Sequence, residues 1–354
     1  MTDEITVSID GMGGDSAPDM IIGGIELACK KDSSVRYLLF GDEKKIQPLL
    51  DLHPLAKQAC EIRHTDDVVT MDDKPTTALR SGKKSSMRLA INAVKNGDAL
   101  CVVSAGNTGA LMAMATIVLK TLPGISRPAI VTSFPTQKGD CVMLDLGANI
   151  ECDAENLVQF AVMGEVFARY ELDIDQPSVG ILNVGVEGLK GNDSVKKAAS
   201  ILQDSNLPVK FFGFVEGDDI GKGSVDVIVT DGFTGNIALK TAEGTAQLIT
   251  YFLKKYLKDN LISKLGAVVA RPALEKFRAH FDPRRYNGAM LVGLNGICVK
   301  SHGGTDAIGF SHAIQAGVKL VKKDFNEVIK QDLNNLIVRN EKNNDENTAS
   351  LANT

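Results

Sequence analysis

The sequence lacks several features that would place a protein at once in a simple class. No apolar run approaches the ~20 residues of a membrane-spanning helix, and no charged leader followed by an apolar segment opens the chain, so we expect a cytoplasmic protein. Positive charge is scarce: the formal net charge of -5 gives no general attraction to nucleic acid. The six cysteines are far apart and form no Cys-x-x-Cys pair, which favours reduced thiols over disulfides or a zinc site.

Three catalytic signatures are missing as well. The chain has no Gly-x-x-x-x-Gly-Lys-Ser/Thr phosphate loop and no Gly-x-Ser-x-Gly elbow, which argues against ATP chemistry of that type and against a serine esterase. None of the histidines has an aspartate five positions further on, the spacing used by glycerol-phosphate acyltransferases. The sequence therefore predicts that a substrate supplies the nucleophile. The histidines are His53, His64, His280, His302 and His312.

Short apolar runs alternate with helical patterns along most of the chain. Eight such runs, the first from Ile5 to Asp10 and the last from Val225 to Thr230, are typical of buried strands in a mostly parallel sheet. We therefore predict a three-layer α/β/α, doubly wound fold that forms a single catalytic domain over residues 1–338. Residues 242–281 interrupt this rhythm and predict a protruding helical hairpin, while the Asn-rich stretch 339–354 indicates a disordered polar tail.

Nearly every predicted strand ends in a glycine-rich or small polar turn. Because ligands of open parallel sheets bind beyond the carboxyl ends of the strands, we expect these turns to line one shared cleft. Glycines allow backbone N–H groups to point at an anion near a helix N-terminus. The residues expected to bind substrate or phosphate are Asp10, Gly13, Gly14, Asp15, Ser104, Asn107, Thr108, Asn149, Asn183, Glu187, Gly191, Thr234, Gly235, His302, Gly303, Gly304 and Asp306.

These turns also have purely structural interpretations. Asn107 or Thr108 could cap the helix that follows, by accepting hydrogen bonds from its free N–H groups. A lone histidine such as His302 is more often a turn residue than an acid or a base. Lys190 lies in a glycine-rich loop, where it is either a solvated surface lysine or the cation that neutralises a dianion without a metal.

The segment from Val229 to Thr241 is the most specific of the set. It places an acid, Asp231, at a strand end, followed by glycines, a hydroxyl and an amide, Asn236, at the start of a helix. Asp231 could orient or deprotonate a phosphate hydroxyl, and Asn236 could help helix N–H groups to stabilise an oxyanion, worth ~3 kcal/mol per donor. We therefore assign Lys190, Asp231 and Asn236 as the catalytic residues.

Eight motifs in a fixed order carry a resemblance to a known family. They are IDGMGGD, SAGNTGALMA, RPAI, LDLGAN, ILNVGVEGLKGND, GFVEGDDI, VTDGFTGNIALKT and SHGGTD, and they cover about residues 5 to 330. Together they resemble the bacterial phosphate acyltransferases, which make acyl phosphate from acyl-carrier-protein thioesters for phospholipid synthesis. The sequence departs from that family at Gly11, where the family usually has alanine.

The resemblance implies a fold similar to that of the isocitrate and isopropylmalate dehydrogenases, a homodimer, and no metal or other cofactor. The implied partners are acyl carrier protein and inorganic phosphate, with peripheral contact to the inner face of the membrane and to the downstream glycerol-phosphate acyltransferase, and no nucleic acid. Two alternatives stay open. One is a decarboxylating dehydrogenase of the related fold, and the other is a phosphate- or carrier-binding module without turnover.

The predicted hairpin carries an apolar tip with basic flanks. This combination is typical of a helix that lies in a membrane surface, although burial of the same apolar face in a dimer is an equally good interpretation of the helix stems. The apolar residues of the tip are Leu261, Ile262, Leu265, Val268 and Val269, and the basic residues beside them are Lys254, Lys255, Lys258, Lys264 and Arg271.

Overall fold

An eleven-stranded sheet runs through the computed structural model, which describes residues 5–204, 207 and 209–331. The strands are β1 (Thr6–Asp10), β2 (Arg36–Gly41), β3 (Cys60–His64), β4 (Cys101–Ser104), β5 (Ala129–Thr136), β6 (Gly139–Leu144), β7 (Ser178–Leu182), β8 (Lys210–Val215), β9 (Val227–Val229), β10 (Ala289–Val292) and β11 (Ile297–Lys300). They lie side by side in the order β3-β2-β1-β4-β11-β10-β5-β6-β9-β7-β8.

Helices cover both faces of this sheet. They are α1 (Asp19–Lys31), α2 (Glu43–Leu50), α3 (Pro54–Ala59), α4 (Pro75–Ser81), α5 (Ser86–Asn96), α6 (Thr108–Leu119), α7 (Ala154–Glu171), α8 (Asp193–Asp204), α9 (Gly217–Lys222), α10 (Gly232–Leu257), α11 (Leu261–Val269), α12 (Arg271–His280) and α13 (Ala307–Lys322), with a short 3-10 helix at Pro283–Tyr286.

The direction of the strands changes near the middle of the sheet. Among the strands described, β10 is antiparallel to both β11 and β5, and β5 is antiparallel to β6, whereas the other neighbours are parallel. As a result, β1 to β4 and β11 run one way, while β6 to β9 run the other way. The prediction of a mostly parallel, doubly wound sheet is confirmed. The sequence analysis did not predict the reversal of strand direction within the sheet.

The alternation of side chains along the buried strands produces two apolar layers. On β4, Val103 packs into one cluster together with α1, α7 and α13, while its neighbour Val102 packs into the other together with α5 and α6. Each fully buried apolar side chain stabilises the fold by about 1.5–3 kcal/mol. This is why strands that are apolar on both faces could be recognised in the sequence.

All eight strands predicted from apolar runs are present, and the structure adds β3, β10 and β11. The half-exposed sequence CEIRH of β3 lies at the edge of the sheet, and its polar residues gave no signal. Strands β10 and β11 have four residues each and are joined by a short turn, so they are too short for a clear pattern. The six cysteines are free, and four of them are buried, which confirms the prediction of reduced thiols.

The region of the predicted hairpin forms α10, α11 and α12. Helix α10 begins at Gly232, where Asp231 caps it, so the helix expected to open after Asp231 and the amphipathic helix expected from 242 are one continuous helix. Within 232–280 only Gly232 and Gly235 are buried among the residues that the structure describes.

None of the helices in the described part of the chain combines the length and apolarity that a membrane crossing needs. The predicted tail 339–354 lies outside the described residues, and the single domain over 1–338 stays a prediction.

Candidate active site

The glycine-rich turns fall on the two opposite edges of the sheet, because the strand direction reverses between them. The turns after β1, β4 and β11 form the Asp10 group (residues 10–18, 104–110 and 300–306). The turns after β6, β7 and β9 form the Asp231 group (residues 145–151, 183–193 and 230–236). The expectation that all turns share one edge is therefore wrong, and no hydrogen bond or ion pair within the described chain joins the two groups.

Asp10 is the centre of the first group. Its carboxylate is 1% exposed and accepts hydrogen bonds from Ser86 Oγ and Ser104 Oγ, both at 2.6 Å. Burial raises the pKa of Asp10, and the two serine hydrogen bonds oppose that shift. Because Asp10 is buried as well as hydrogen-bonded at both oxygens, it holds the turns together from beneath. Ser86, at the start of α5, belongs to none of the motifs and was missed in the sequence.

Lys300 lies beside Ser104 at the end of β11 and is also buried. Its ammonium group donates to the backbone oxygens of Ala105 and Ser301. Burial lowers the pKa of Lys300 to about 8, and the nearby carboxylates Asp10 and Asp15 oppose this shift. Lys300 therefore joins the second and third turns of the Asp10 group. It directly precedes the motif SHGGTD, and the sequence analysis singled out only residues within that motif.

The glycines of the Asp10 group allow its turns to pack backbone against backbone. Gly14 has a φ of 109°, and a Cβ atom there would lie 3.2 Å from the Gly303 oxygen. The Asp15 N–H donates to that same oxygen at 3.0 Å. The backbone N–H groups of Gly13, Gly14 and Gly303 have no hydrogen-bond partner among the residues described. Such unpaired donors beside a helix N-terminus are suited to bind an anion.

Two predicted site residues of this group cap helices. Asn107 accepts a hydrogen bond from the Ala110 N–H at 3.0 Å, so Asn107 and not Thr108 is the cap of α6, and Thr108 is exposed as its first residue. Asp306 caps α13 in the same way, with Gly309 N–H as the donor at 3.0 Å. The structural interpretation of both residues therefore holds. Their other polar atoms are also used within the protein, because the Asn107 amide donates to backbone oxygens of residues 70–73 and the second Asp306 oxygen accepts from Arg284.

A hydrogen bond joins His302 and Gly304 in the turn that follows β11. The Nδ1 atom of His302 accepts from the Gly304 N–H at 3.1 Å, which places the hydrogen of the neutral ring on Nε2. The His302 side chain is exposed, so Nε2 can reach a bound substrate. The N–H of Gly304 is used by the ring, so of the two glycines only Gly303 offers a free donor.

The Asp231 group is built on a second buried carboxylate, Asp145, which is 0% exposed. One of its oxygens accepts from the N–H groups of Ile130 (2.9 Å), Gly147 (3.2 Å) and Ala148 (3.0 Å). The other accepts from the N–H and the side-chain amide of Asn149, at 2.7 and 2.9 Å. Burial raises the pKa of Asp145, and these hydrogen bonds oppose it. The donors of this turn, Asn149 included, are thus used inside the protein. Asp145 was missed, although the motif LDLGAN contains it.

Asp231 and Asn236 are held at the start of α10, on top of the Asp145 turn. Asp231 accepts from Thr234 through the backbone N–H at 2.8 Å and the hydroxyl at 2.9 Å. Gly235 packs against the backbone carbonyl oxygen of Asp145 so closely that a Cβ atom at residue 235 would not fit. The Asn236 amide donates one hydrogen to a backbone oxygen of the Asp145 turn at 3.0 Å, and its second hydrogen has no partner among the described atoms.

Lys190 lies in the loop after β7, which is the neighbour of β9 in the sheet. The pairing of these strands ends with Ile181 opposite Val229, so Asn183 and Asp231 each stand two residues beyond the last pair, at the same edge of the sheet. The Asn183 amide donates to the Lys190 oxygen at 3.1 Å, and the Lys190 N–H donates to the Glu187 oxygen at 2.9 Å. The loop closes at Gly191 with a φ of 91°. The backbone of the loop is therefore fixed, while the side chains of Lys190 and Glu187 are exposed.

One cluster of side chains with metal-binding chemistry lies outside both groups. Asp42, His64 and Asp66 meet near the ends of β2 and β3, and two of the three are exposed. Within the residues described, it is the sole cluster of at least three His, Cys, Asp or Glu side chains close enough to share an ion. Neither group of turns contains such a cluster.

Comparison with known proteins places both groups of turns within one family. The family model described as "Fatty acid synthesis protein" matches residues 5–328. A phosphate acyltransferase from Rhodospirillum rubrum is 57% identical over 333 residues, which cover 94% of this chain and 95% of that protein. The chain belongs to the phosphate acyltransferase family. The family is one of enzymes, and the matched range includes every candidate residue named above.

Solved structures share the fold of this family member at low sequence identity. A phosphotransacetylase from Streptococcus pyogenes has a TM-score of 0.64 and 19% identity, and the match covers 91% of this chain and 95% of that one. A 4-hydroxythreonine-4-phosphate dehydrogenase from Klebsiella pneumoniae has a TM-score of 0.53 and 12% identity, and the match covers 90% and 100%. These likenesses concern the fold, and they agree with the expected similarity to a dehydrogenase fold.

Proposed function

We propose that the protein transfers a fatty acyl group from an acyl-carrier-protein thioester to inorganic phosphate and so makes acyl phosphate for phospholipid synthesis. The observation that carries this proposal is the family match over residues 5–328, which includes both groups of turns. A phosphate oxygen attacks the thioester carbonyl carbon, the carbon–sulfur bond breaks, and the carrier thiol leaves with a proton. Phosphate, with a second pKa of roughly 6 to 7, is largely dianionic at neutral pH, so no protein nucleophile is needed.

The Asp10 group supports a phosphate site, but the charge of its turns is unfavourable for a dianion. Its unpaired N–H groups at Gly13, Gly14 and Gly303 are suited to phosphate oxygens. The charged residues of these turns, however, are three acids and one buried lysine: Asp10, Asp15, Asp306 and Lys300. A further cation must therefore approach the phosphate, and we assign this role to the exposed Lys190 of the other group.

In the proposed reaction the Asp231 group acts on both the attacking phosphate and the thioester carbonyl. The Asp231 carboxylate orients the phosphate hydroxyl, and the second amide hydrogen of Asn236 helps to hold the oxyanion that develops on the thioester carbonyl. Because the two groups lie on opposite edges of the sheet within one chain, we propose that the substrates bind where the Asp10 group of one copy meets the Asp231 group of a second copy. We propose a homodimer, because α10 exposes a row of large apolar side chains that a monomer leaves in water. They are Leu248, Ile249, Tyr251, Phe252 and Tyr256.

A direct assay tests this function. Acylated acyl carrier protein and inorganic phosphate are mixed with the enzyme, with NAD and magnesium omitted, and the acyl phosphate formed is trapped with hydroxylamine and compared with a reaction that lacks phosphate. We expect product that depends on phosphate and enzyme. A dehydrogenase would show no reaction without a nicotinamide cofactor and a metal, and a binding module would bind phosphate or carrier without product. Either result would refute the transfer reaction.

Replacing Lys190 with alanine is expected to raise the KM for phosphate by about 10- to 100-fold, because a hydrogen bond to a charged group is worth about 1.5–3 kcal/mol. Steady-state kinetics at saturating acyl donor measure this change. Lys197→Ala is the matched control, since Lys197 is exposed on α8 in the same segment. Lys84→Ala tests a competing cation, because the exposed Lys84 stands two residues before Ser86, which donates to Asp10. If Lys84→Ala raises the KM and Lys190→Ala does not, the assignment of Lys190 is wrong.

We propose that the protein works in the cytoplasm at the inner face of the membrane, where the tip of α11 touches the lipid surface and the downstream glycerol-phosphate acyltransferase receives the product. Five apolar residues of α11, from Leu261 to Val269, are each at least 69% exposed. The segment 232–280 carries eight Lys and Arg but only three acids, although the whole chain has a net charge of -5. This mix of apolar and basic side chains suits an anionic interface.

Leu261→Glu combined with Val268→Glu is expected to abolish binding to anionic liposomes, because both changes place charges on the side chains that would enter the lipid. Sedimentation with vesicles of phosphatidylglycerol and phosphatidylethanolamine measures the bound fraction. Leu52→Glu is the control, since Leu52 is also exposed, at 74%, but lies between α2 and α3. If the double variant sediments with the vesicles as the wild type does, the tip of α11 does not bind the lipid surface.

A further inference from the structure

We propose that Asn287 is a positioning residue that fixes the turn Ser301–Asp306 for phosphate binding. This inference rests on the proposed function, because it assigns the phosphate to the Asp10 group. Asn287 belongs to none of the eight motifs. It lies in the segment that returns from α12 to the sheet, immediately before β10, and it contacts the turn across 14 and 15 residues of sequence.

Asn287 makes two hydrogen bonds to the start of the turn. Its Oδ1 atom accepts from the His302 N–H at 2.8 Å, and its Nδ2 atom donates to Ser301 Oγ at 2.9 Å. Ser301 is 0% exposed, so water cannot replace the second bond. The Asn287 amide thus fixes two consecutive residues. Without it, the buried Ser301 hydroxyl would lose its hydrogen-bond partner, and this cost would favour a rearranged turn.

The far end of the turn is fixed by the same returning segment. Arg284 donates to the Asp306 carboxylate at 3.1 Å and also binds Asp282, which holds the arginine in place. The oxygen of Arg284 lies 2.7 Å from His312 Nδ1 on α13. The segment from Asp282 to Asn287 therefore clamps the turn at both ends.

The position of the turn decides where its free donor points. Between the two clamped ends lies Gly303, whose oxygen accepts the Asp15 N–H at 3.0 Å and whose own N–H has no partner among the described residues. A shift of Ser301 and His302 would break this docking and move the Gly303 N–H away from those of Gly13 and Gly14. Three donors can hold one phosphate only if they converge, so the loss of Asn287 should weaken phosphate binding specifically.

The test compares Asn287→Ala with Asn295→Ala. Asn295 is a matched control, because its side-chain amide also makes a hydrogen bond to a distant segment, to the Thr121 backbone oxygen at 2.7 Å, but it lies in the turn between β10 and β11, at the end of β11 opposite the Asp10 group. Two quantities are measured: the KM values for phosphate and for the acyl donor, and the rise in Tm on addition of inorganic phosphate. The second needs no turnover.

For Asn287→Ala we expect a phosphate KM about tenfold higher or more, an unchanged acyl-donor KM, and loss of the phosphate-induced rise in Tm. Asn295→Ala should behave as the wild type. A lower Tm with unchanged phosphate KM and unchanged phosphate response would show a merely structural role and overturn the inference. Should Asn287→Ala fail to fold, Ser301→Ala removes only one of the two contacts; it should raise the phosphate KM in the same direction, and an unchanged value would count against the inference.

The two proposals fail in different ways. A wild-type protein that makes no acyl phosphate and shows no rise in Tm with phosphate contradicts the proposed function. A wild-type protein that does both, with an Asn287→Ala variant that responds to phosphate as the wild type does, contradicts only the role of Asn287.

Discussion

Replacing Asp231 with asparagine is expected to lower kcat for acyl-phosphate formation by about two to three orders of magnitude, the range that a positioned acid or base contributes. The carboxylate is proposed to orient the phosphate hydroxyl, and a neutral amide cannot accept its proton. Asparagine is as good a helix cap as aspartate, so the hydrogen bond from the Thr234 N–H and the start of α10 should persist. Steady-state kinetics at saturating concentrations of both substrates measure the change.

Asp153→Asn separates loss of catalysis from loss of a cap. Asp153 caps α7 and accepts from the Asn156 N–H at 2.8 Å, as Asp231 does for Thr234, but it lies outside the catalytic set. This variant should retain the kcat of the wild type. If Asp231→Asn also retains it, Asp231 is only a cap, and the proposed division of labour between the two groups of turns has to be abandoned.

The largest effect on stability is expected for Asp145→Ala, which should lower the free energy of unfolding by about 4–5 kcal/mol or more. The change leaves four backbone N–H groups and the Asn149 amide without their acceptor, and each unpaired buried donor costs about 1–3 kcal/mol, although some of them will find water. Since a folded protein is stable by only about 5–15 kcal/mol, the variant should be close to unfolding. Urea denaturation followed by circular dichroism measures this.

Asp193→Ala provides the comparison for that experiment. Asp193 is fully exposed at the start of α8 and forms a surface ion pair with Lys196 at 3.0 Å, so its loss should leave the free energy of unfolding nearly unchanged. If Asp145→Ala lowers the free energy of unfolding as little as Asp193→Ala does, the carboxylate of Asp145 does not hold its turn together. The first turn of α10 would then need another support, because Gly235 packs directly on that turn.

The buried strands and the helix starts could be found in the sequence because the signals that define them are local. Apolar side chains on both faces of a strand need no knowledge of the neighbouring strand, and a cap such as Asn107 acts on the N–H groups of its own helix within three residues. Asp231 and Asp306 were singled out in the sequence as acids of glycine-rich turns, and the structure shows that both also cap helices. Each stands where a strand or turn meets a helix and where an acid binds the free N–H groups.

The Asp10 and Asp145 networks show where local signals fail. Asp10 was expected to face the substrate, but its partner Ser86 is 76 residues away in sequence, and the pair of bonds with Ser86 and Ser104 turns the carboxylate inward. Asn149 was expected to bind a ligand, but its amide is used by Asp145. Polar residues in glycine-rich turns look alike in sequence, whether they face a ligand or hold the turn from below.

Eight of the eleven strands, the set of glycine-rich turns and the family could be read from the residues alone, since these depend on residues that are close in the chain or on motifs in a fixed order. The separation of the turns onto two edges became visible only in the folded chain. That separation depends on β10, which pairs with β5 more than 150 residues before it, and on its direction relative to both neighbours. Strand direction results from long-range backbone hydrogen bonds, and these leave no pattern in the side chains of a four-residue strand.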